Sequence, residues 1–133
     1  MVGAESGEGR THAPLDPAIQ PGILHRDEVL LTDRHLTRHV GGKGVFATPA
    51  MIWLMENASH NSVAPYLLPA QTTVGYEVHV FHRAPAELGD RIVIESRLAE
   101  VDRNRLTFEV RATKDGLLLG EGIHRRAIVG ARG

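Results

Sequence analysis

Thr48-Pro49-Ala50-Met51-Ile52-Trp53-Leu54-Met55-Glu56-Asn57-Ala58-Ser59 sets one carboxylate inside an apolar run. At about 100° per residue, the neighbours of Glu56 along a helix surface are Pro49, Ile52, His60 and Val63, while Met51, Leu54, Met55 and Ala58 fill most of the far side. The segment therefore reads as a buried helix, with Glu56 short of water. Burying an ionised carboxylate costs several kcal/mol unless it is paired, so such a group has a raised pKa, a partner or a task. Thr48 suits an N-cap and Pro49 a first helical residue, so the helix is expected to start there and to stop by Pro65, after about four to five turns.

Upstream, Ile23-Leu24 and Val29-Leu30-Leu31 suggest a first strand, followed by a polar stretch with His35 and His39 and a flexible loop at Gly41-Gly42-Lys43-Gly44. Downstream, the pattern changes to period two. In Val74 to His82 one face carries Val74, Tyr76, Val78, Val80 and His82, and the other carries Gly75, Glu77, His79 and Phe81. Three more strands are expected at about Arg91 to Val101, Arg105 to Thr113 and Leu117 to Val129, separated by turn signals at Gly89-Asp90, Asp102-Arg103-Asn104 and Asp115-Gly116. Short hairpin links imply an antiparallel sheet. One long helix, apolar nearly all round, and about five strands predict an α+β fold in which a strongly curved sheet wraps the helix. Glu77 and His79 fall on an apparent edge strand, which invites antiparallel pairing with a second copy, so a homodimer is expected, or a tetramer built from it.

The chain has 133 residues, of which 42% are hydrophobic, enough for one domain with a real core. Residues 1–20 are rich in Gly, Pro and charge without a hydrophobic period and read as a disordered leader; the folded domain is expected over 21–133, beginning after Pro21. Fifteen basic against sixteen acidic residues, with no long like-charged run, argue against nucleic acid or a membrane surface as the main partner. The absence of cysteine excludes disulfides, thiolate zinc sites and a cysteine nucleophile. No signal-peptide pattern or long apolar span is present, which favours the cytoplasm.

Several stretches resemble the hotdog-fold thioesterases of the fluoroacetyl-CoA thioesterase family. They are Val45-Phe46-Ala47-Thr48, Leu54-Met55-Glu56, Ala64-Pro65-Tyr66-Leu67, Gly75, His82, and Gly122-Ile123-His124-Arg125-Arg126-Ala127, which together span roughly Phe46 to Val129. The resemblance implies the hotdog architecture and hydrolysis of an acyl-CoA thioester. It also implies that a helix-start threonine, a glutamate eight residues on and a histidine on the next strand do the chemistry, here Thr48, Glu56 and His82. Gly75, Arg126 and Phe46 then belong to the substrate-binding set. The chain departs from the family before the helix: Val40-Gly41-Gly42-Lys43-Gly44 stands where fluoroacetyl-specific members have an aromatic-bearing lid, and no aromatic comes before Phe46. A more general short-acyl substrate is the inference.

In this reading Glu56 activates water or attacks directly to give a short-lived anhydride, His82 orients water or shuttles a proton, and Thr48 assists by hydrogen bonding. Free N–H groups at the helix start or near Gly75 would supply the oxyanion site. Each residue also has a plain structural role. Glu56 pairs with His60 or Arg126, His82 is a core histidine bonded to a carbonyl, and Thr48 is an N-cap. Over an unbroken helix Thr48 and Glu56 lie roughly 12 Å apart, too far for one hydrogen bond, which favours a site at a dimer interface. His35 and His39 have i, i+4 spacing and His79, His82 and His124 add imidazoles, but strand alternation splits His79 from His82 and no third ligand is fixed for the first pair. No metal and no cofactor are expected. The alternatives are a non-catalytic acyl-CoA binding or sensing module and a hotdog enoyl-CoA hydratase; the latter needs an Asp and a His near the helix start, where this chain offers glycines, Lys43 and Phe46.

Overall fold

A computed structural model describes residues 14–132. Five antiparallel strands form one sheet in the order β1-β5-β6-β7-β4. Their ranges are β1 Leu24–Leu30, β4 Gln71–His82, β5 Arg91–Asp102, β6 Arg105–Lys114 and β7 Leu117–Gly130. Two short strands, β2 (Leu36–Thr37) and β3 (Val45–Phe46), pair with each other just ahead of the single helix, α1 (Thr48–Val63).

The strands form where alternation and turn chemistry agree. On β5, Ile92, Ile94, Ser96 and Leu98 are buried; on β6, Leu106, Phe108, Val110 and Ala112 are buried. The intervening positions carry Arg97, Glu109 and Arg111, exposed on the convex side. Two-residue links close both hairpins. Asp115 and Gly116 have φ of 48° and 81°, as a primed turn requires, and Arg103 takes φ 57° in the other link.

The helix presents Met51, Met55, Ala58, Ser59, Ser62 and Val63 to the concave face of the sheet. It is not apolar and buried all round, as the sequence suggested, because Trp53 is 48% exposed. Where the helix carries hydroxyls inward they are matched: Ser59 donates to the Met55 carbonyl (2.9 Å) and its oxygen meets Ser96 Oγ at 2.9 Å. The packed part of the chain also starts ahead of Pro21. Ile19 lies in the core, and Gln71 Nε2 donates to the Pro14 carbonyl at 2.7 Å. Residues 1–13 of the leader expected over 1–20 lie outside the described residues.

The strict period-two reading of β4 fails at one residue. The β4–β7 register shifts between Gly75 and Glu77, so Tyr76 is an extra, bulged residue. Before the bulge Thr73 faces Ile128 and Gly75 faces Arg126; after it Val78 faces His124, Val80 faces Gly122 and His82 faces Gly120. Opposed residues share a face, so the inner row of β4 runs Thr73, Gly75, Val78, Val80, His82. Val74 and Tyr76, assigned to that row from sequence, are 46% and 44% exposed instead. The inner row of β7 is Gly120, Gly122, His124, Arg126 and Ile128. At this end of the sheet the concave face turns small and polar.

Gly122 makes that close approach possible. A Cβ there would strike the His79 carbonyl oxygen and lie 2.7 Å from Val80 Cα, both backbone atoms of β4. Gly122→Ala must therefore push β4 away from β7, and the variant is expected to lose about 1–3 kcal/mol in denaturant unfolding, the usual cost of overpacking.

Candidate active site

The start of α1 is held by backbone hydrogen bonds on both sides. Phe46 N–H donates to the Ala86 carbonyl (2.7 Å) and Ala47 N–H to the His35 carbonyl (2.8 Å). The N-cap is Ala47, in extended geometry with φ −76° and ψ 136°, and not Thr48. Met51 N–H closes the first helical bond onto the Ala47 carbonyl at 3.0 Å. Thr48 is therefore the first helical residue, and its hydroxyl is released from capping. That hydroxyl lies 2.7 Å from His82 Nδ1.

His82 ends β4, and the chain just beyond it is tied down where Arg83 and Ala84 N–H groups both donate to the Leu119 carbonyl. Its ring meets Phe46 edge-on, with centroids 5.7 Å apart. Burial pushes the imidazole pKa below its ordinary value, and the nearby Ala84 backbone only partly opposes this. The ring is accordingly neutral near pH 7, and its Nδ1 can accept the Thr48 hydroxyl proton. Its Nε2 is buried without a hydrogen-bond partner among the described residues. A groove of ≈ 350 Å³ opens onto this pair, lined by Phe46, Thr48, His82 and Arg83 together with Thr37 and Pro85. The first-turn N–H groups of Thr48 and Ala50 have no acceptor four residues back, and Pro49 between them has no N–H, so two donors remain at the helix start for a developing negative charge.

Glu56 lies elsewhere. The helix is unbroken from Thr48 to Val63, which sets the two residues roughly 12 Å apart along its axis. Glu56 is half-buried rather than enclosed, and among the described residues it makes no hydrogen bond or ion pair. The groups that feel its charge are His124 and Arg126 on β7. Gly75 and Arg126 join it from the substrate-binding set: Gly75 faces Arg126 across the strands, and a Cβ at Gly75 would stand 2.8 Å from His124 Cε1 and 3.1 Å from Arg126 Nη1.

The six residues singled out from sequence thus fall into two groups. Thr48, His82 and Phe46 meet at the helix start; Glu56, Gly75 and Arg126 meet about two turns further along. Two residues beside the second group, His124 and Thr73, were not assigned to it from sequence. His124 is buried, with Nδ1–H donating to the Glu77 carbonyl (2.9 Å) and Nε2 facing Arg126 Nη1 (3.1 Å). Thr73 Oγ1 lies 2.7 Å from Arg126 Nε and 2.7 Å from His60 Nδ1. The signal for His124 is the row Gly120, Gly122, His124, Arg126 at alternate positions, which reads as an inward polar face only once the register is known, and Thr73 joins that face only through the bulge at Tyr76. Of the histidine pair considered for a metal, His35 accepts the Thr32 N–H through Nδ1 and His39 is exposed.

A profile of the fluoroacetyl-CoA-specific thioesterase family matches residues 31–132. The fluoroacetyl-CoA thioesterase of Streptantibioticus cattleyicolor is 35% identical over 85 residues, a match covering 64% of this chain and 61% of that protein. The solved structure of the fluoroacetyl-CoA thioesterase FlK superimposes with a TM-score of 0.78 at 28% identity, over 84% of this chain and 89% of that one. A thioesterase superfamily protein of Thermus thermophilus gives 0.77 at 28% identity, over 84% and 85%. At 20% identity, a hot-dog-like protein from Thermanaerovibrio acidaminovorans shares the fold, with a TM-score of 0.76.

Four imidazoles, those of His35, His60, His82 and His124, have pKa values lowered first of all by burial. On unfolding they return to about 6.5, so the unfolded chain binds more protons as the pH drops through that value. Stability is expected to decline between about pH 7 and about pH 5, before Glu77 and Asp90, whose carboxyl pKa values are lowered, begin to titrate. Thermal unfolding followed across that range checks the direction. With an antiparallel hotdog sheet around one central helix, and a profile match running from Leu31 nearly to the end, this chain belongs to the fluoroacetyl-CoA-specific thioesterase family.

Proposed function

We propose that this protein hydrolyses a short or small acyl-CoA thioester to the free acid and CoA. The observation that carries the reading is the 2.7 Å contact between Thr48 Oγ1 and His82 Nδ1, an alcohol beside a neutral imidazole at a helix N-terminus. An alcohol is a poor nucleophile alone and a competent one beside a base. As the Thr48 oxygen, or a water held in its place, bonds to the thioester carbonyl carbon, its proton passes to His82 Nδ1. The C–S bond then breaks, and the CoA sulfur leaves as thiolate or takes that proton; where water attacked, the free acid forms at once, and where Thr48 attacked, a water that gives its proton to His82 hydrolyses the acyl-threonine ester and returns the Thr48 hydroxyl. The N–H groups of Thr48 and Ala50 suit the oxyanion.

Glu56 keeps the role of base or nucleophile only if something spans the gap along the helix. A second subunit does this most simply. β4 is a free sheet edge bearing Val74, Tyr76 and Phe81, which are 46%, 44% and 62% exposed. The opposite edge, β1, carries His25, Arg26, Asp27 and Glu28, the charged dressing that keeps an edge unpaired. We therefore assign β4 to a homodimer whose site draws on both subunits. A monomer that stays fully active on dilution, followed by sedimentation alongside the assay, would remove that assignment.

Thiol release from acyl-CoAs running from acetyl and fluoroacetyl to medium chains tests the activity. Turnover is expected for the short members, with Thr48→Val and His82→Ala each lowering kcat/KM by ~10² or more and the double variant no worse than either, because the two act as a unit. The acid limb should fall below the ordinary histidine range, since His82 must be neutral. Full activity in both variants, with loss in Glu56→Gln, would move the attack to the carboxylate. CoA esters that raise Tm without turnover would indicate a binding module.

A further inference from the structure

Arg126 is half-buried, and burial pushes its pKa down, opposed by the charge of Glu56. A guanidinium and a carboxylate in such surroundings normally close into a bidentate pair. Here they do not. Every hydrogen bond that Arg126 makes among the described residues goes to a neutral acceptor: Nε to Thr73 Oγ1 (2.7 Å), Nη2 to the Thr73 carbonyl (3.0 Å) and Nη1 to His124 Nε2 (3.1 Å).

Both side-chain acceptors work because their own hydrogens are committed elsewhere. His124 Nδ1–H goes to the Glu77 carbonyl, which leaves Nε2 as a bare lone pair. The Thr73 hydroxyl accepts from Arg126, so its hydrogen is free to go to His60 Nδ1 at 2.7 Å. With the hydroxyl donating, His60 is the neutral Nε2–H tautomer, in line with the lowering of its pKa by burial and by Arg126. Thr73 is 5% exposed, so no water can take over the task cheaply.

We infer that Thr73, with His60 behind it, is a positioning residue that holds the Arg126 guanidinium off Glu56, keeping both charges available to the acyl group bound between them. The inference rests on the thioesterase reading for its purpose but not for its geometry. Two of the five N–H donors of Arg126 stay uncommitted to protein acceptors, and they and Gly75 border the same space. Thr73→Val keeps the shape and the carbonyl bond but removes the hydroxyl, freeing Nε and letting the guanidinium swing to the carboxylate.

The test compares wild type, Thr73→Val, Thr73→Ser and His60→Leu by two measurements. In kinetics with a short acyl-CoA, Thr73→Val is expected to lower kcat/KM about 10-fold or more and His60→Leu by less, with Thr73→Ser within a few-fold of wild type. Adding Thr73→Val to an Arg126→Gln background should then change nothing further. In NMR, the Arg126 Nε–H resonance should exchange slowly in wild type and Thr73→Ser and be lost in Thr73→Val. Wild-type kinetics in Thr73→Val, or a further loss in the Arg126→Gln background, overturns the role. An Nε–H resonance unchanged across the variants overturns it as well, whatever the turnover. Should wild type hydrolyse nothing, the proposed activity falls, and the NMR comparison alone still decides whether Thr73 holds Arg126.

Discussion

The seating of α1 in the concave face of the sheet governs everything else in this molecule. Met51, Met55, Ala58 and Val63 are fully buried against rows that include Leu98, Phe108 and Leu119. Removing that much apolar surface from water is the main favourable contribution to the fold. It also fixes the helix in azimuth and height. With Met51 and Met55 pointing inward, Thr48 is bound to emerge at the end of β4 and Glu56 beside the polar row of β7. The candidate site is therefore a by-product of core packing: a helix rotated by one residue would bury Glu56 and carry the Thr48 hydroxyl away from His82.

Two glycines in β7 extend the same constraint. Gly120 leaves room for the Met51 thioether, since a Cβ there would meet its methyl carbon at 2.7 Å, and Gly122 lets β4 and β7 close up at Val80. These contacts hold the last strands tightly at the point where the inner face stops being hydrophobic. A polar network placed over a loose sheet would admit water and lose its geometry. Placed over this one, His124, Arg126 and Thr73 can be oriented by backbone carbonyls and by one another.

Strand positions, hairpins and the central helix were legible in the sequence because alternation, turn residues and helical period pointed the same way. Each sheet strand lies within a few residues of its expected range. Three features were not. Thr48 looks like a cap because threonine is a good one, yet backbone bonds from Phe46 and Ala47 set the helix start one residue earlier and turn the hydroxyl to His82. The row Val74, Tyr76, Val78 looks continuous because alternation says nothing about a bulge, and one extra residue at Tyr76 transfers Thr73 and Gly75 to the inner face. Glu56 looks enclosed because a helical wheel counts neighbours on one element only. Its surroundings are set by β7, more than 60 residues away in the chain, and they leave it half-open.

The separation of the two groups along one helix has a chemical consequence. A helix is stiff, so about 12 Å between Thr48 and Glu56 cannot be closed by a local adjustment. A carbonyl carbon bonded to the Thr48 oxygen is then out of reach of Glu56 in the same subunit, and one resting against Arg126 and Glu56 is out of reach of Thr48. Either the two groups serve different parts of one ligand, with the reacting carbonyl at one and a remote portion at the other, or they come from different subunits. The charge distribution differs between the two ends. The Thr48 and His82 contact joins two neutral groups, whereas Arg126 and Glu56 bring opposite charges that no hydrogen bond between them neutralises. Half-buried charges kept apart are worth their desolvation only where a polar group arrives between them. Under the proposed hydrolysis, a thioester carbonyl acquiring negative charge is such a group, and so is the carboxylate product. A second copy paired along β4, the edge strand that sets Gly75 opposite Arg126, would lie beside these charges.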